Sequence, residues 1–235
     1  MTTHNVISPP ALLTGQTSDH IIWLTKRIGI HQKMIGAWQH MQHDANKAGF
    51  DLQIASGFRS FERQLTLWNN KFTGKSIVNN KNNQPIDLSQ YNELDKIDAI
   101  LLFSALPGAS RHHWGTDIDI YAPNLLDNNQ KLQLEPWEYQ QRGPFAALSQ
   151  WLTANSQKYG FYFPYDIERG GVAIEPWHLS YAPLASRYQQ QLNLKTLTNT
   201  IKHSDILSKS CILENLANIY KKFIINVNNA PDLLQ

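Results

Sequence analysis

The chain has 235 residues and a mass of 26.9 kDa, and its 42% apolar and 17% charged residues are those of a globular protein and not of a disordered polymer. With 21 Lys and Arg against 19 Asp and Glu, the net charge of +2 gives nucleic acid no electrostatic reason to bind, and a single cysteine, Cys211, excludes an internal disulfide or a multi-cysteine zinc module. The richest apolar stretch, around 97–106, contains Asp98 and falls short of the roughly 20 residues that span a bilayer, so no transmembrane helix is expected.

Residues 1–15 carry neither a basic n-region nor an apolar h-region, so the chain reads as cytoplasmic, the periplasm being open to it only by another export route. Ile30, Met34, Trp38, Met41, Ala45 and Ala48 recur at helical steps and stop at Gly49, which predicts an amphipathic helix covering a sheet. A short strand is expected over 50–55, a turn at Ser56-Gly57, and a helix capped by Ser60 with Phe61, Leu65, Trp68 and Phe72 on its apolar face. Residues 73–92 are crowded with Asn, Gln, Lys and Pro and read as a solvated excursion, followed by a helix over about 92–105 that Pro107-Gly108 ends. Alternation over 116–121 predicts a strand with Ile118 and Ile120 on one face and Asp117, Asp119 and Tyr121 on the other. A second polar excursion covers 123–143, a helix follows Gly143-Pro144, and short strands are expected at 160–164 and 174–181. Beyond Pro183 the pattern is helical, with Leu213, Leu216, Ile219, Tyr220 and Phe223 along one stripe. Residues 1–183 therefore read as the main domain, and residues 184–235 as an appendage packed on it.

Metal-competent residues concentrate in two places. The segment 107–119 brings His112, His113, Asp117 and Asp119, and Glu175-Pro176-Trp177-His178 brings two more. A catalytic zinc needs about three protein ligands and an open position, so two His and one Asp suffice, with a spare Glu to accept a proton from water. His112 in the turn before the strand and Asp119 on its non-core face can converge across Gly115. Glu175 and His178 would point to opposite faces of a regular strand, but Pro176 breaks the ladder there and a bulge could turn both to one ion. Arg59, ahead of a helix N-terminus, is placed to meet an anion. His20, His31, His40, His43 and His203 read as surface or core histidines, and there is no H-E-x-x-H.

The pattern Ser110-x-His112-x-x-Gly115-x-x-x-Asp119, followed by Glu175-x-x-His178, resembles the zinc peptidase family of the VanY-type D-alanyl-D-alanine carboxypeptidases and the LD-carboxypeptidases. Ser56-Gly57-Phe58-Arg59-Ser60, with Gln64 downstream, is similar to that family's Ser-Gly-Tyr-Arg-Ser segment, and the resemblance covers roughly 12–183. It implies an α+β fold, a mainly antiparallel sheet flanked by helices, here with a helical C-terminal extension. It implies that His112, Asp119 and His178 hold Zn2+, that Glu175 is the general base, and that Arg59 meets the oxyanion or a substrate carboxylate, with Ser110 and Gln64 either supporting those groups from behind or touching the substrate. One position departs from the family: Asp117 stands where Ala is usual, on the pocket-facing side, where it can orient a ligand histidine or compete for the ion. The motif spacing selects Asp119, and His113 should point away.

The implied activity is release of the C-terminal D-alanine from peptidoglycan stem peptides or muropeptides. The rivals are an endopeptidase cutting between L-alanine and D-glutamate with the same zinc site, and a catalytically silent zinc module that binds murein.

Overall fold

The computed structural model, which describes residues 8–230, opens with a one-turn helix α1 (Pro10–Leu13) and an antiparallel ribbon of β1 (Ile21–Trp23) and β2 (Gly29–His31), leading to α2 (Ile35–Lys47). The helix expected from Ile30 begins only at Ile35, because Ile30 pairs with Ile22 in the ribbon and His31 caps the 3-10 turn that follows, its Nδ1 accepting the Lys33 N–H at 3.1 Å. Next come β3 (Gln53–Ser56) and α3 (Phe61–Phe72), where the Ser60 hydroxyl accepts the Arg63 N–H at 3.2 Å as the expected cap. The first polar excursion holds a small ribbon, β4 (Val78–Asn79) with β5 (Pro85–Ile86), before α4 (Glu93–Leu101), capped by Asn92. The acidic strand is β6 (Asp117–Tyr121). After it come α5 (Pro136–Tyr139), α6 (Ala146–Asn155), β7 (Phe161–Tyr162) and β8 (His178–Tyr181). Three helices close the chain, α7 (Ala182–Gln191), α8 (Leu194–Lys202) and α9 (Lys209–Ile219), the last running on as a π-turn over Tyr220–Ile224.

The main sheet has the order β3-β6-β8-β7, antiparallel throughout. One core lies between it and α2 and α6, where Ile118, Ile120 and Leu179 meet Trp38, Met41 and Leu148. The other lies under α3 and α4, where Trp68, Ile97 and Ile100 meet Leu197, Ile201, Ile212 and Leu216 of the closing helices. Those helices thus share a core with residues far upstream of them. No helix among the described residues is long and apolar enough to cross a membrane.

His31 couples this packing to pH. It is 3% exposed, its Nε2 lies 3.0 Å from the Tyr188 hydroxyl on α7, and burial pushes its pKa down to about 4. An unfolded imidazole titrates near 6.5, so between about pH 6.5 and 4 the unfolded chain binds the extra proton; this contribution to stability is whole above 6.5 and lost as the pH falls through that window. The urea midpoint should therefore drop between pH 6.5 and 4, and the drop should be smaller in His31→Gln; an unchanged slope in the variant would assign the acid sensitivity elsewhere.

Candidate metal centre

Strand register builds the site. Asp119 lies opposite His178 on β8 and opposite Ser56 on β3, on the face of β6 turned away from Ile118 and Ile120. His112 comes from the 3-10 turn Arg111–Trp114, which Gly115 ends at φ +67°. A Cβ at Gly115 would stand 2.3 Å from Ile21 Cδ1 and 3.0 Å from the His31 backbone nitrogen, so the turn that aims His112 at β6 requires glycine. One donor atom each from His112, Asp119 and His178 lies within 4.8 Å of the other two, and all three residues are buried.

Glu175 reaches the same place by a device other than the expected bulge. β8 starts only at His178; before it the chain makes a turn in which the His178 N–H donates to the Glu175 carbonyl at 3.1 Å. Residues three apart in a turn can share a side, and Glu175 Oε2 sits 3.3 Å from His178 Nδ1.

Both imidazoles are held by the nitrogen that does not face this cluster. His112 Nδ1 lies 2.9 Å from the Gly57 carbonyl, which can only accept, so the proton is on Nδ1 and the lone pair on Nε2, 3.4 Å from Asp119 Oδ2. Burial pushes the His112 pKa down to about 4 despite Asp119 beside it, keeping the ring neutral as a metal ligand must be. His178 is oriented the other way round: Nε2 is 3.0 Å from Asp117 Oδ1, and Nδ1 faces Asp119 Oδ1 at 3.2 Å. Burial opposes its charged form, but Asp117, Asp119 and Glu175 outweigh burial and raise its pKa well above the usual value, so a cation bound at Nδ1 would take the place of a proton there and its binding should weaken as the pH falls. Asp119 Oδ1 is buried without a properly directed hydrogen bond. A buried carboxylate oxygen lacking a donor, beside two imidazole nitrogens aimed inward, is a set of donors that fits a divalent ion such as zinc and leaves a position for water or substrate.

Asp117 stands behind His178. It accepts from Arg111 Nε at 2.7 Å and from the Thr116 hydroxyl at 2.8 Å besides facing His178, so both of its oxygens are engaged. Burial works against its charge, yet Arg111 wins and holds the carboxyl well below its usual range. His113 points away, as its neighbour's role requires. Its Nδ1 donates to the Arg59 carbonyl at 2.6 Å and its Nε2 accepts the Gly108 N–H at 3.0 Å, tying the Arg59 backbone to the ligand-bearing turn. The Arg59 guanidinium is half-buried, feels the charges of Asp119, Glu175 and Arg63, and donates to Ser56 Oγ at 3.1 Å and Gln64 Oε1 at 2.9 Å. Gln64 itself is fully buried, its Nε2 donating to the Ala105 carbonyl at 2.6 Å while its Oε1 holds Arg59, the geometry of the supporting role that was one of the two expected for it.

Residues 27–184 match the family model of VanY, D-alanyl-D-alanine carboxypeptidase. The chain belongs to the VanY family. It is accordingly a metallopeptidase. An uncharacterized protein of Haemophilus influenzae is 41% identical over 122 residues, which are 51% of this chain and 93% of that one. Among solved structures, VanYB in complex with D-alanine-D-alanine is 25% identical with a TM-score of 0.51, over 79% of this chain and 91% of that chain. The VanY D,D-pentapeptidase of a VanB-type resistance cassette, in complex with Zn(II), is 23% identical with a TM-score of 0.50, over 77% and 92%.

In this VanY-family chain the donor cluster opens on a cleft of about 290 Å³. Arg59, Ser110, Tyr165, Glu175 and Trp177 line it near His112, Asp119 and His178. Two further walls were not legible from motifs. Lys71, Ile77 and Asn79 come from the end of α3 and the first polar excursion, and Phe223 and Ile224 from the π-turn, beyond the matched residues. The π-turn is also wired to the ligands: Gln189 Nε2 donates to the Ile224 carbonyl at 3.0 Å, and Gln189 Oε1 accepts Arg111 Nη1 at 2.7 Å.

Proposed function

We propose that the protein is a zinc-dependent carboxypeptidase that removes the terminal D-alanine from peptidoglycan stem peptides or muropeptides. The observation that carries this reading is the convergence of His112, Asp119 and His178 on one point with Glu175 at its edge, in a chain of the VanY family. His112 through Nε2, Asp119 and His178 through Nδ1 would hold the zinc ion, which when bound supplies Lewis acidity to the scissile carbonyl and to the attacking water.

The rest of the chemistry falls to the chain. Glu175 takes the proton from the water that adds to the carbonyl carbon, and delivers it to the nitrogen that leaves as the carbon–nitrogen bond breaks. Burial raises the Glu175 pKa against the pull of His178, which makes it a stronger base than a solvated carboxylate. Arg59 counters the negative charge that builds on the carbonyl oxygen, held for that task by Ser56, Gln64 and, through its backbone, His113. Ser110, fully buried on the cleft wall, is read as a contact to the bound peptide. Of residues 184–235, those up to 230 are read as part of the same unit, since α8 and α9 share a core with α3 and α4, and 231–235 lie outside the described residues.

Mass spectrometry of defined tetrapeptide and pentapeptide stems tests this: free D-alanine is expected with zinc-loaded protein, and none after exhaustive chelation. A released dipeptide or larger fragment would overturn the carboxypeptidase assignment in favour of an endopeptidase, and chelator-resistant hydrolysis would remove the metal from it.

A further inference from the structure

Trp23 is unexplained by the metal centre. It stands on β1 and is 52% exposed, with half of a large aromatic surface left to water. Its partner across the ribbon is Gly29, where a Cβ would come within 3.1 Å of the indole, so the ring rests on bare backbone. Phe58 meets it edge to face, the ring centroids 6.1 Å apart at 87°. Phe58 is itself held, by the His20 ring at 5.8 Å and by its N–H, which donates to the Gly29 carbonyl at 2.7 Å. The two rings make a fixed aromatic corner at the surface.

Two hollows of about 680 and 670 Å³ adjoin this corner, and Lys26, Arg27, Phe58, Arg59 and Arg63 belong to the walls of both. Arg59 also lines the cleft of the metal centre, so hollows and cleft meet at this residue. Of the charged residues in the walls of the hollows, Lys26, Arg27, Arg59 and Arg63 are cations and Glu62 is the one acid. Lys26, Arg27 and Arg63 make no ion pair among the described residues. A groove with cations along it and an aromatic corner fits a chain that bears carboxylates and ends in a sugar, since the C–H face of a pyranose packs on an indole while its hydroxyls stay in water.

Muropeptides are such chains. Three or four residues separate the scissile bond of a tetrapeptide or pentapeptide stem from the sugar, a reach of roughly 10 to 14 Å when extended, and the γ-linked D-glutamate among them keeps a free α-carboxylate. From Arg59 at the reacting centre, Phe58 is the adjoining residue and Trp23 is one ring contact further. We propose that this groove receives the acyl side of a muropeptide, the sugar ring on Trp23 and the stem carboxylates along Lys26, Arg27 and Arg63, so that the chain prefers sugar-bearing muropeptides to free stem peptides. The assignment rests on the peptidase reading of the metal centre and chooses between the two substrate classes which that reading leaves open. Exposed Ile22, Trp23 and Leu24 beside Lys26 and Arg27 would also suit an anionic membrane surface. The hollow that Trp23 lines is concave and joined to the cleft through Arg59, which favours a bound chain over a bilayer.

The test is calorimetric binding of N-acetylmuramoyl pentapeptide, and of the same pentapeptide carrying an N-acetyl group in place of the sugar, to zinc-loaded Glu175→Gln protein, with and without Trp23→Ala, alongside hydrolysis of both by the unmodified chain. The sugar-bearing ligand should bind roughly 5- to 30-fold more tightly, the range of one stacked ring, and Trp23→Ala should remove that advantage with the sugar-free ligand and the zinc content unchanged. Trp23→Phe should keep part of it. Arg63→Gln should weaken both ligands alike, because the carboxylates are common to them. Equal binding of the two ligands, an advantage that survives Trp23→Ala, or binding indifferent to Arg63→Gln overturns the assignment whatever the hydrolysis assay shows. So does Trp23-dependent adsorption to phosphatidylglycerol vesicles with no preference for the sugar, which would make the ribbon a membrane contact. A Trp23-dependent preference without hydrolysis of either ligand supports the groove and counts against the proposed reaction instead.

Discussion

Replacing Glu175 with Gln should lower kcat by roughly 10²- to 10⁴-fold, the usual contribution of a general base, with zinc content unchanged. Glutamine keeps the size of the side chain and loses only the ability to accept a proton. The metal should stay because the donor atoms belong to His112, Asp119 and His178, and Glu175 sits beside His178 Nδ1 at 3.3 Å without completing the cluster. Because the side chain is nearly isosteric, KM should move little, and the loss should fall on turnover. Kinetics on a D-alanine-releasing peptide, with metal analysis of the same sample, decides it: undiminished turnover would take the base from Glu175, and loss of zinc would make it a ligand.

The legible part of this site lies where sequence distance and geometry are tied together. Asp119 and the core-facing Ile118 and Ile120 are on opposite faces of β6 because the side-chain period of a strand is two, which alternation alone reveals. Gly115 marks the left-handed turn, and the Ser60 cap marks the start of α3. The approach of Glu175 differs in detail from the expected bulge, since Pro176 predicts a broken ladder without saying whether a bulge or a turn replaces it. Gln64 stays open between support and substrate contact for a related reason: helical spacing puts it on the inward side of α3, and only the packed structure shows that this side faces the Ala105 backbone. Lys71, Phe223 and Ile224 carried no signal at all. Their place in the cleft depends on how the first polar excursion and the closing helices dock, which is set by contacts between residues more than a hundred positions apart, such as Trp68 with Leu207.

The departure at Asp117 supplies the second large effect. Arg111 and Asp117 form an ion pair at 2.7 Å with side chains 3% and 0% exposed, and Asp117 also holds His178 Nε2. Asp117→Ala leaves the Arg111 charge buried with only the neutral partners Gln189, Tyr162 and Ser180, which should cost about 3–5 kcal/mol of stability. It should also weaken zinc binding by about 10- to 100-fold, since a ligand histidine loses the carboxylate that fixes its ring. Arg111→Met combined with Asp117→Leu separates the two consequences. With both charges gone and the volume refilled, the urea midpoint should return most of the way to that of the unmodified chain, whereas zinc affinity, read by competition with a chelator, should stay low because nothing then accepts the His178 Nε2 proton. If the double variant binds zinc as tightly as the original, the Asp117 carboxylate serves Arg111 alone. The pair would then be a packing solution peculiar to this chain, with no hand in the metal centre.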